Sequence, residues 1–407
     1  MALLYNTLSG SKIEYSHPIL VGMLKDILKK ENLRVLELPV KELGKPIIRD
    51  FVEDIKNNFM GDMACVNLSK GKPFQLIPLP TNYADIRRIK KDPSLPGKYI
   101  MSYLSELTIF INNHSSHNLE IHKKFSNDLA LFKQFLFPYA DTVGQRKEIP
   151  LTRIEDILTQ SKESGLHTLN ITGGNIFEYP GFGELLKILG KYPFNKVFHS
   201  HYLDVVERDG LNRLNSFQEK NTQVYLHITL PLVKDKFETA VRFAGTKPGV
   251  SFSFSFAVSD EKDLEMFEDI KSRYNLGRYR FNPYYNGSNL DFFQKMVFFD
   301  RDSLWAEKPS QKEIFRRMAM NTNDFGNMKI LWNGMIYANI NNPAIGDINK
   351  NSIREAIFNE LFHGKSWLKS RSHVLPCKNC LYNFLCPPLS NYEHVLGRNN
   401  LCCIYPR

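Results

Sequence analysis

Cysteine is almost absent from this 407-residue chain until its end: Cys65 stands alone in the first 376 residues, and the other five lie between Cys377 and Cys403. Long apolar runs are missing as well. None approaches the roughly 18 residues of a membrane-crossing helix, which excludes that class. There is no long block of Lys and Arg. The excess of 53 basic over 43 acidic residues, +10 formally, is spread along the chain, so a nucleic-acid role ranks last. The opening stretch MALLYNTLSGSKIEYSH has no basic region, apolar core or small-residue cleavage site. It does not read as a secretory signal, and the expected compartment is the reducing cytosol, where disulfides are rare. Walker A, H-E-x-x-H, G-x-S-x-G and a complete G-x-G-x-x-G after a strand are all lacking, as are internal repeats and low-complexity segments.

What remains is a chain of average composition, 43% hydrophobic and 24% charged, long enough for two or three domains. Residues 3 to 15, LLYNTLSGSKIEY, read as a hairpin around Ser-Gly. A helix follows with Ile19, Met23, Ile27 and Leu28 on its inner stripe, then a strand in ENLRVLELPV and a second helix from Gly44 to Asn58 facing inward through Ile48, Phe51, Val52 and Ile55. These form a small winged-helix-like module over 1–95, closed by the linker RRIKKDPSLPGK. Beyond it strands alternate with helices. LTIFI, HTLNITGG, KVFHSH, TQVYLHITL, VSFSFSFAV and RYRFNPYY are strands, and a helix is expected over 128–137. Another starts at the N-cap Thr152 with Glu155 three residues on. This alternation predicts an α/β fold with a parallel sheet, a barrel or part of one, over 100–305. From 320 to 407 come a hairpin on Asn333-Gly334, the helix SIREAIFNELFH and the cysteine-rich tail.

The tail spacing is Cys377-x2-Cys380-x5-Cys386, then Cys402 and Cys403. A C-x2-C step brings two thiolates to one centre, and later cysteines can complete a zinc or iron-sulfur site. Spacing does not choose between the metals. Cys65 reads as a small core residue. Glu261 and Asp263 sit in a helix-start pattern that capping explains.

The hairpin and tail resemble a SPASM domain, the extension of radical S-adenosylmethionine (SAM) peptide maturases that holds two auxiliary [4Fe-4S] clusters. After Gly334 the family's G-x4-C step here reaches Asn339, and its C-x3-C step reaches Ser390. The resemblance therefore implies that the inner cluster has lost its ligands, while Cys377, Cys380, Cys386 and Cys402 keep the outer one, Cys403 competing for the fourth place. The middle of the chain is similar to the radical SAM partial (β/α)6 barrel. Its cluster loop should follow the first strand, yet residues 112–128 hold no cysteine; His114, His117 and His122 there read as polar-loop residues rather than ligands. Where the family has Gly-Gly-Glu-Pro for the SAM amino group, the chain has Gly173-Gly174-Asn175-Ile176, without the carboxylate.

The whole resembles a pseudo-radical-SAM protein of Bacteroidales-type peptide-modification systems. That implies a non-catalytic accessory that binds a precursor or leader peptide, in concert with a true radical SAM maturase, and carries one [4Fe-4S] cluster, or zinc, but no SAM. The peptide would join an edge of the sheet built from Leu3–Asn6 and Lys12–Tyr15. The alternative is an enzyme or electron-transfer protein that uses the remaining cluster.

Overall fold

The computed structural model describes residues 1–32, 34–66, 88, 91–92, 100–115, 131–141, 145–206, 210–215, 222–246, 249–274 and 276–404. Chain contacts divide it into two compact units. The first combines Met1–Ala84, Arg301–Ala319 and Ser370–Pro388; the second combines Asp85–Asp300, Met320–Lys369 and Leu389–Arg407.

The first unit starts with an antiparallel hairpin of β1 (Ala2–Tyr5) and β2 (Lys12–Tyr15). Asn6 shapes its turn. The Asn6 Oδ1 accepts from the N–H groups of Leu8 (2.8 Å) and Ser9 (3.2 Å), and Gly10 supplies a φ of +77° that other residues resist. Strand alternation gives the hairpin two faces. Ala2, Leu4, Ile13 and Tyr15 pack on the helices Pro18–Ile27 and Pro46–Asn57, with Ile48 and Phe51 at the centre of that core. The first helix is turned from its expected stripe: Leu20, Met23 and Leu24 face inward, whereas Ile19 is 45% and Leu28 71% exposed.

The strand expected in ENLRVLELPV does not form. Residues 30–32 make a 3-10 turn, Arg34 has a positive φ of 63°, and Pro39 caps the short helix Val40–Leu43. A proline and a left-handed residue leave too little uninterrupted chain for a ladder, so the described sheet has two strands. Cys65 is exposed, not a core residue. Of the linker at 87–98, only 88, 91 and 92 lie within the described residues.

In the second unit β3 (Glu106–Phe110), β4 (Thr168–Thr172), β5 (Asn195–His201), β6 (Thr222–Ile228), β7 (Val250–Val258) and β8 (Tyr279–Pro283) are parallel and in sequence order. Helices follow them, among them Leu151–Ser161, Phe182–Gly190, Lys234–Thr246, Glu261–Arg273 and Leu290–Val297. The sheet does not close into a full barrel. It continues beyond β3 with β9 (Asn327–Ile330), parallel to β3, and then the antiparallel β10 (Met335–Tyr337) and β11 (Gly346–Asp347). The Asn333-Gly334 turn thus extends the central sheet.

The helix Leu151–Ser161 has Pro150 at its N-cap, two residues ahead of the expected cap, so Thr152 lies inside it and makes no cap. Proline's fixed φ suits a helix entrance and sets the earlier start. The helix expected over 128–137 is only Leu131–Gln134 in the described residues, because the chain then turns toward Pro138. Asp263 does take part in capping: its N–H donates to Asp260 Oδ1 at 2.8 Å, and its carboxylate accepts from Ser259.

Strand alternation decides where chemistry can occur. Leu107, Ile109, Leu169, Ile171, Phe198, Val224, Leu226, Phe254, Phe256, Met328 and Ile330 belong to the main apolar core, with the helices. Their neighbours at period two are polar. Glu106, Thr108, Asn170, His199, His227, Ser255, Asn282 and Lys329 therefore share the sheet's other, concave face.

Candidate functional site

At the C-terminal ends of the parallel strands, the Gly173-Gly174 turn is packed by the chain itself. Gly174 N–H donates to both Asn112 oxygens, Oδ1 at 2.9 Å and the carbonyl at 3.1 Å. Asn175 N–H donates to the His114 carbonyl at 2.8 Å, and the Gly173 carbonyl accepts from Tyr139 N–H at 2.6 Å. A Cβ on Gly173 would collide with Asn112, and one on Gly174 with the His114 backbone. This close approach is why both positions are glycine. Asn175 caps the following 3-10 turn, its Oδ1 accepting from Phe177 N–H at 3.0 Å. His114 is half-buried beside this turn; His117 and His122 lie outside the described residues.

The segment from Leu131 to Ala140 covers the concave face at this level. Leu131, Phe132 and Phe137 form one apolar cluster with Phe110, Ala257, Tyr284 and Leu331. Tyr139 stacks on Trp332 with centroids 4.9 Å apart, and Phe137 sets its edge against His227 at 5.1 Å. Gln134 fastens the segment to the residues after β8, exchanging hydrogen bonds with Tyr285 at 2.8 and 2.9 Å.

Beneath this aromatic layer a polar row crosses four strands. Asn170 donates its amide to Glu106 Oε1 (2.7 Å) and Thr108 Oγ1 (3.3 Å), so its Oδ1 accepts, from His199 Nε2–H at 3.2 Å. A neutral His199 then accepts at Nδ1 from His227 Nε2–H, 3.0 Å away. The row ends at His227 Nδ1, which is buried with its lone pair and makes no hydrogen bond among the described residues. Burial keeps both rings neutral: the His199 pKa is pushed down to about 3, with the Arg280 charge adding to the effect, and that of His227 lies well below the usual value. His199 also stacks on Tyr225, whose ring carries the Arg280 guanidinium at 4.6 Å.

None of these lumen residues was singled out in the sequence. The signal was present in VFHSH, VYLHIT and SFSFSF, where polar groups alternate with apolar ones although both sheet faces are covered.

Of the tail cysteines, Cys377, Cys380 and Cys386 belong to the first unit and Cys402 to the second. Cys377 and Cys386 are buried, and Cys380 is half-buried. Arg371 Nη1 donates to Cys377 Sγ at 3.6 Å and Tyr382 N–H to Cys380 Sγ at 3.4 Å, the kind of outer donors that steady thiolate ligands. Cys402 is buried with Asn400 Nδ2 at 3.6 Å from its sulfur, whereas Cys403 is exposed. All six cysteines are free thiols. In kind, the donor set suits a thiophilic centre. In geometry, no three His, Cys, Asp or Glu side chains among the described residues are gathered so as to hold a metal ion.

Asn339 and Ser390 are each engaged in hydrogen bonds within the second unit. Asn339 Nδ2 donates to Asp324 Oδ1 (2.9 Å) and Asn391 Oδ1 (2.7 Å), and Asn321 Nδ2 donates to Asp324 Oδ2 (2.9 Å). Ser390 forms a capping box with Glu393 at the start of the helix Asn391–Val395. Desolvation pushes the buried Asp324 carboxyl up to about 6.

The first unit also shows what holds its hairpin. On the face away from the helices, Tyr5 donates to the Pro309 carbonyl at 2.8 Å, and Lys12 donates to the carbonyls of Trp305 and Glu307. Glu14 binds Arg301 at 2.7 Å and Tyr382 at 2.5 Å. Both hairpin faces are therefore covered, and strand edges are what remain for an added chain.

No protein-family model and no curated protein matches this chain. Solved structures do. SuiB of Streptococcus suis, in a crystal structure with S-adenosylmethionine bound, has a TM-score of 0.51 at 13% identity, over 98% of this chain and 94% of that one. SuiB bound to its precursor peptide SuiA scores 0.46 at 13% identity, and SuiB alone 0.48 at 12%, each with the same coverage. The parallel-rich sheet, the helices after its strands and the hairpin extension together give this chain a radical SAM-like fold of the SuiB kind.

Proposed function

We propose that this chain is a pseudo-radical-SAM protein, a non-catalytic accessory of ribosomal-peptide maturation that binds a precursor or leader peptide and works beside a true maturase. The observation that carries the reading is the self-filled mouth of the sheet. The loop entering it begins Asn112-Asn113-His114-Ser115, and no thiol occurs in 112–128 to hold the cluster that delivers an electron to SAM. The Gly173-Gly174 turn is bonded to Asn112, His114 and Tyr139, and its following side chain is an amide engaged in capping. The radical SAM-like fold supports the family side of the reading, and the residue that follows the two glycines here is Asn175, an amide and not a carboxylate.

The peptide is proposed to add as a strand at an edge of the β1–β2 hairpin, whose faces are occupied. Cys377, Cys380 and Cys386, with Cys402 as the fourth ligand, are proposed to hold one [4Fe-4S] cluster, with zinc as the alternative. Such a centre would tie the tail and, as iron-sulfur, could pass electrons.

The deciding experiment is an anaerobic SAM-cleavage assay with dithionite on protein purified and reconstituted with iron and sulfide. No 5′-deoxyadenosine above a protein-free control is expected. Release of 5′-deoxyadenosine by a single-turnover amount or more would overturn the reading. Metal and sulfide analysis of the same samples, with Cys380→Ala alongside, distinguishes four irons and four sulfides from one zinc.

A further inference from the structure

A recess of about 130 Å³ lies at the C-terminal end of the helix Asn391–Val395 and opens to solvent. That is many times the roughly 10–15 Å³ that admits one water, so a ligand of several non-hydrogen atoms has room. Every residue lining it belongs to the second unit. The recess forms where the chain reverses. Gly397, exposed at a φ of +64°, donates its N–H to the His394 carbonyl (3.1 Å), and Arg398 N–H donates to the Glu393 carbonyl (3.0 Å). A left-handed glycine is a usual helix stop, and here it brings Arg398 into the same lining as His394. Lys369, two residues after the fully buried Trp367, joins them.

Three basic side chains, Lys369, His394 and Arg398, therefore share one small opening, and all three are half-buried. The Arg398 guanidinium is steadied by Asn400 Oδ1 (3.4 Å) and by the face of Phe298, 5.0 Å from the ring centroid. Neither it nor the Lys369 amine is in an ion pair among the described residues. One acid, the buried Glu393, also lines the recess; its Oε2 accepts from Ser390 N–H (2.7 Å) and Oγ–H (2.6 Å). With His394 protonated, the lining has an excess of two positive charges. Burial, and after it the Lys369 charge, keep the His394 pKa below its usual value, and a bound anion offsets that charge.

We infer that this recess is a binding site for a phosphate group, as the free ion or as the end of a small phosphate ester. A tetrahedral dianion matches the charge of the lining, whereas a monocarboxylate leaves part of it unbalanced. Arg398 supplies N–H donors in a fixed fork, Lys369 a point charge and His394 a ring N–H. Peptide binding and a metal in the tail play no part in it.

Equilibrium dialysis of the full-length protein against radiolabelled inorganic phosphate, at about pH 7 and constant ionic strength, is the test. One saturable site per chain is expected, half-filled at or below about 1 mM. Arg398→Gln and Lys369→Gln should each weaken it about tenfold or more, the loss of a hydrogen bond to a charged group, while Lys262→Gln, on an exposed helix face outside the recess, changes nothing. Absence of saturable binding to the wild-type protein overturns the proposal before any variant has to fold, and so does binding that both recess variants leave unchanged. Acetate that displaces phosphate at equal concentration overturns the assignment to a dianion. Unlabelled glycerol 3-phosphate identifies the source: better competition than inorganic phosphate assigns the end of an ester, and weaker competition assigns the free ion.

Discussion

Tyr382, two residues after Cys380, donates a 2.5 Å hydrogen bond to Glu14 on the hairpin, across 368 positions of sequence. Glu14 also holds Arg301 at 2.7 Å, so one carboxylate joins all three segments of the first unit. Burial and the nearby Glu14 charge push the Tyr382 phenol up to about 12.

Tyr382→Phe should therefore lower stability by about 1–2 kcal/mol, as expected for a hydrogen bond to a charged group. A urea melt followed by tryptophan fluorescence, which reports Trp305 in this unit, checks it. A double-mutant cycle with Glu14→Gln should show coupling near that size. Additive single effects would mean that the contact contributes nothing.

Glu360 makes stability depend on pH. Its Oε1 accepts from the N–H groups of Ser366 (2.9 Å) and Trp367 (2.8 Å), while Oε2 is buried with no hydrogen-bond partner among the described residues. Burial raises its pKa from 4.5 to about 7. The folded state thus keeps the proton after the unfolded chain has released it. The stability from this group is complete below about 4.5, falls as pH rises toward 7 and is then constant, a change of about 3 kcal/mol. Glu360→Gln should flatten the thermal melting profile between those limits and raise the melting temperature at pH 7.5.

His199 acts in the opposite sense. With its folded pKa down at about 3 against 6.5 in the unfolded chain, it contributes stability above pH 6.5 that is lost as pH falls from there toward 3. In the Glu360→Gln background, where the opposing slope is gone, His199→Gln should weaken the protein at pH 7.5 yet reduce its loss of melting temperature between pH 6.5 and 5. An identical acid-side slope in both proteins would show that His199 is not buried in its neutral form.

Asn339→Ala should cost about 2–3 kcal/mol, because it removes a donor from the buried Asp324 carboxylate and another from Asn391. Asn339→Asp should be worse at pH 8 than at pH 5, since a second carboxyl beside Asp324 repels it when both are ionised. Chemical denaturation at the two pH values separates these outcomes.

The sequence was informative wherever one physical rule acted locally. Alternation and turn residues located the parallel strands β3 to β8 and the Asn333-Gly334 hairpin, and glycine at 173 and 174 marked a close backbone approach. It misled where neighbours competed. Pro150 displaced Thr152 from the cap, and Arg34 with Pro39 prevented a strand that Leu36 and Leu38 otherwise favour; both leucines pack on the hairpin core instead. The polar row from Glu106 to His227 was hidden for another reason. Alternating polar residues in a strand ordinarily mean water on that side, and only the curvature of the sheet and the aromatic segment above turn that side into an interior. The tail's grouping with the hairpin had no local signal at all, because it rests on pairs such as Glu14 and Tyr382.

That grouping has a consequence for how the protein is made. The hairpin is synthesised well before the tail, so Glu14 must wait for Tyr382, which at ordinary synthesis rates is a delay of roughly 20 to 70 s. Until then one face of the hairpin, with Tyr5 and Lys12, lacks the segment that covers it. The hairpin is therefore completed long after it is synthesised, and for that interval the nascent chain presents an unfinished two-stranded sheet to whatever chaperone or extended polypeptide meets it.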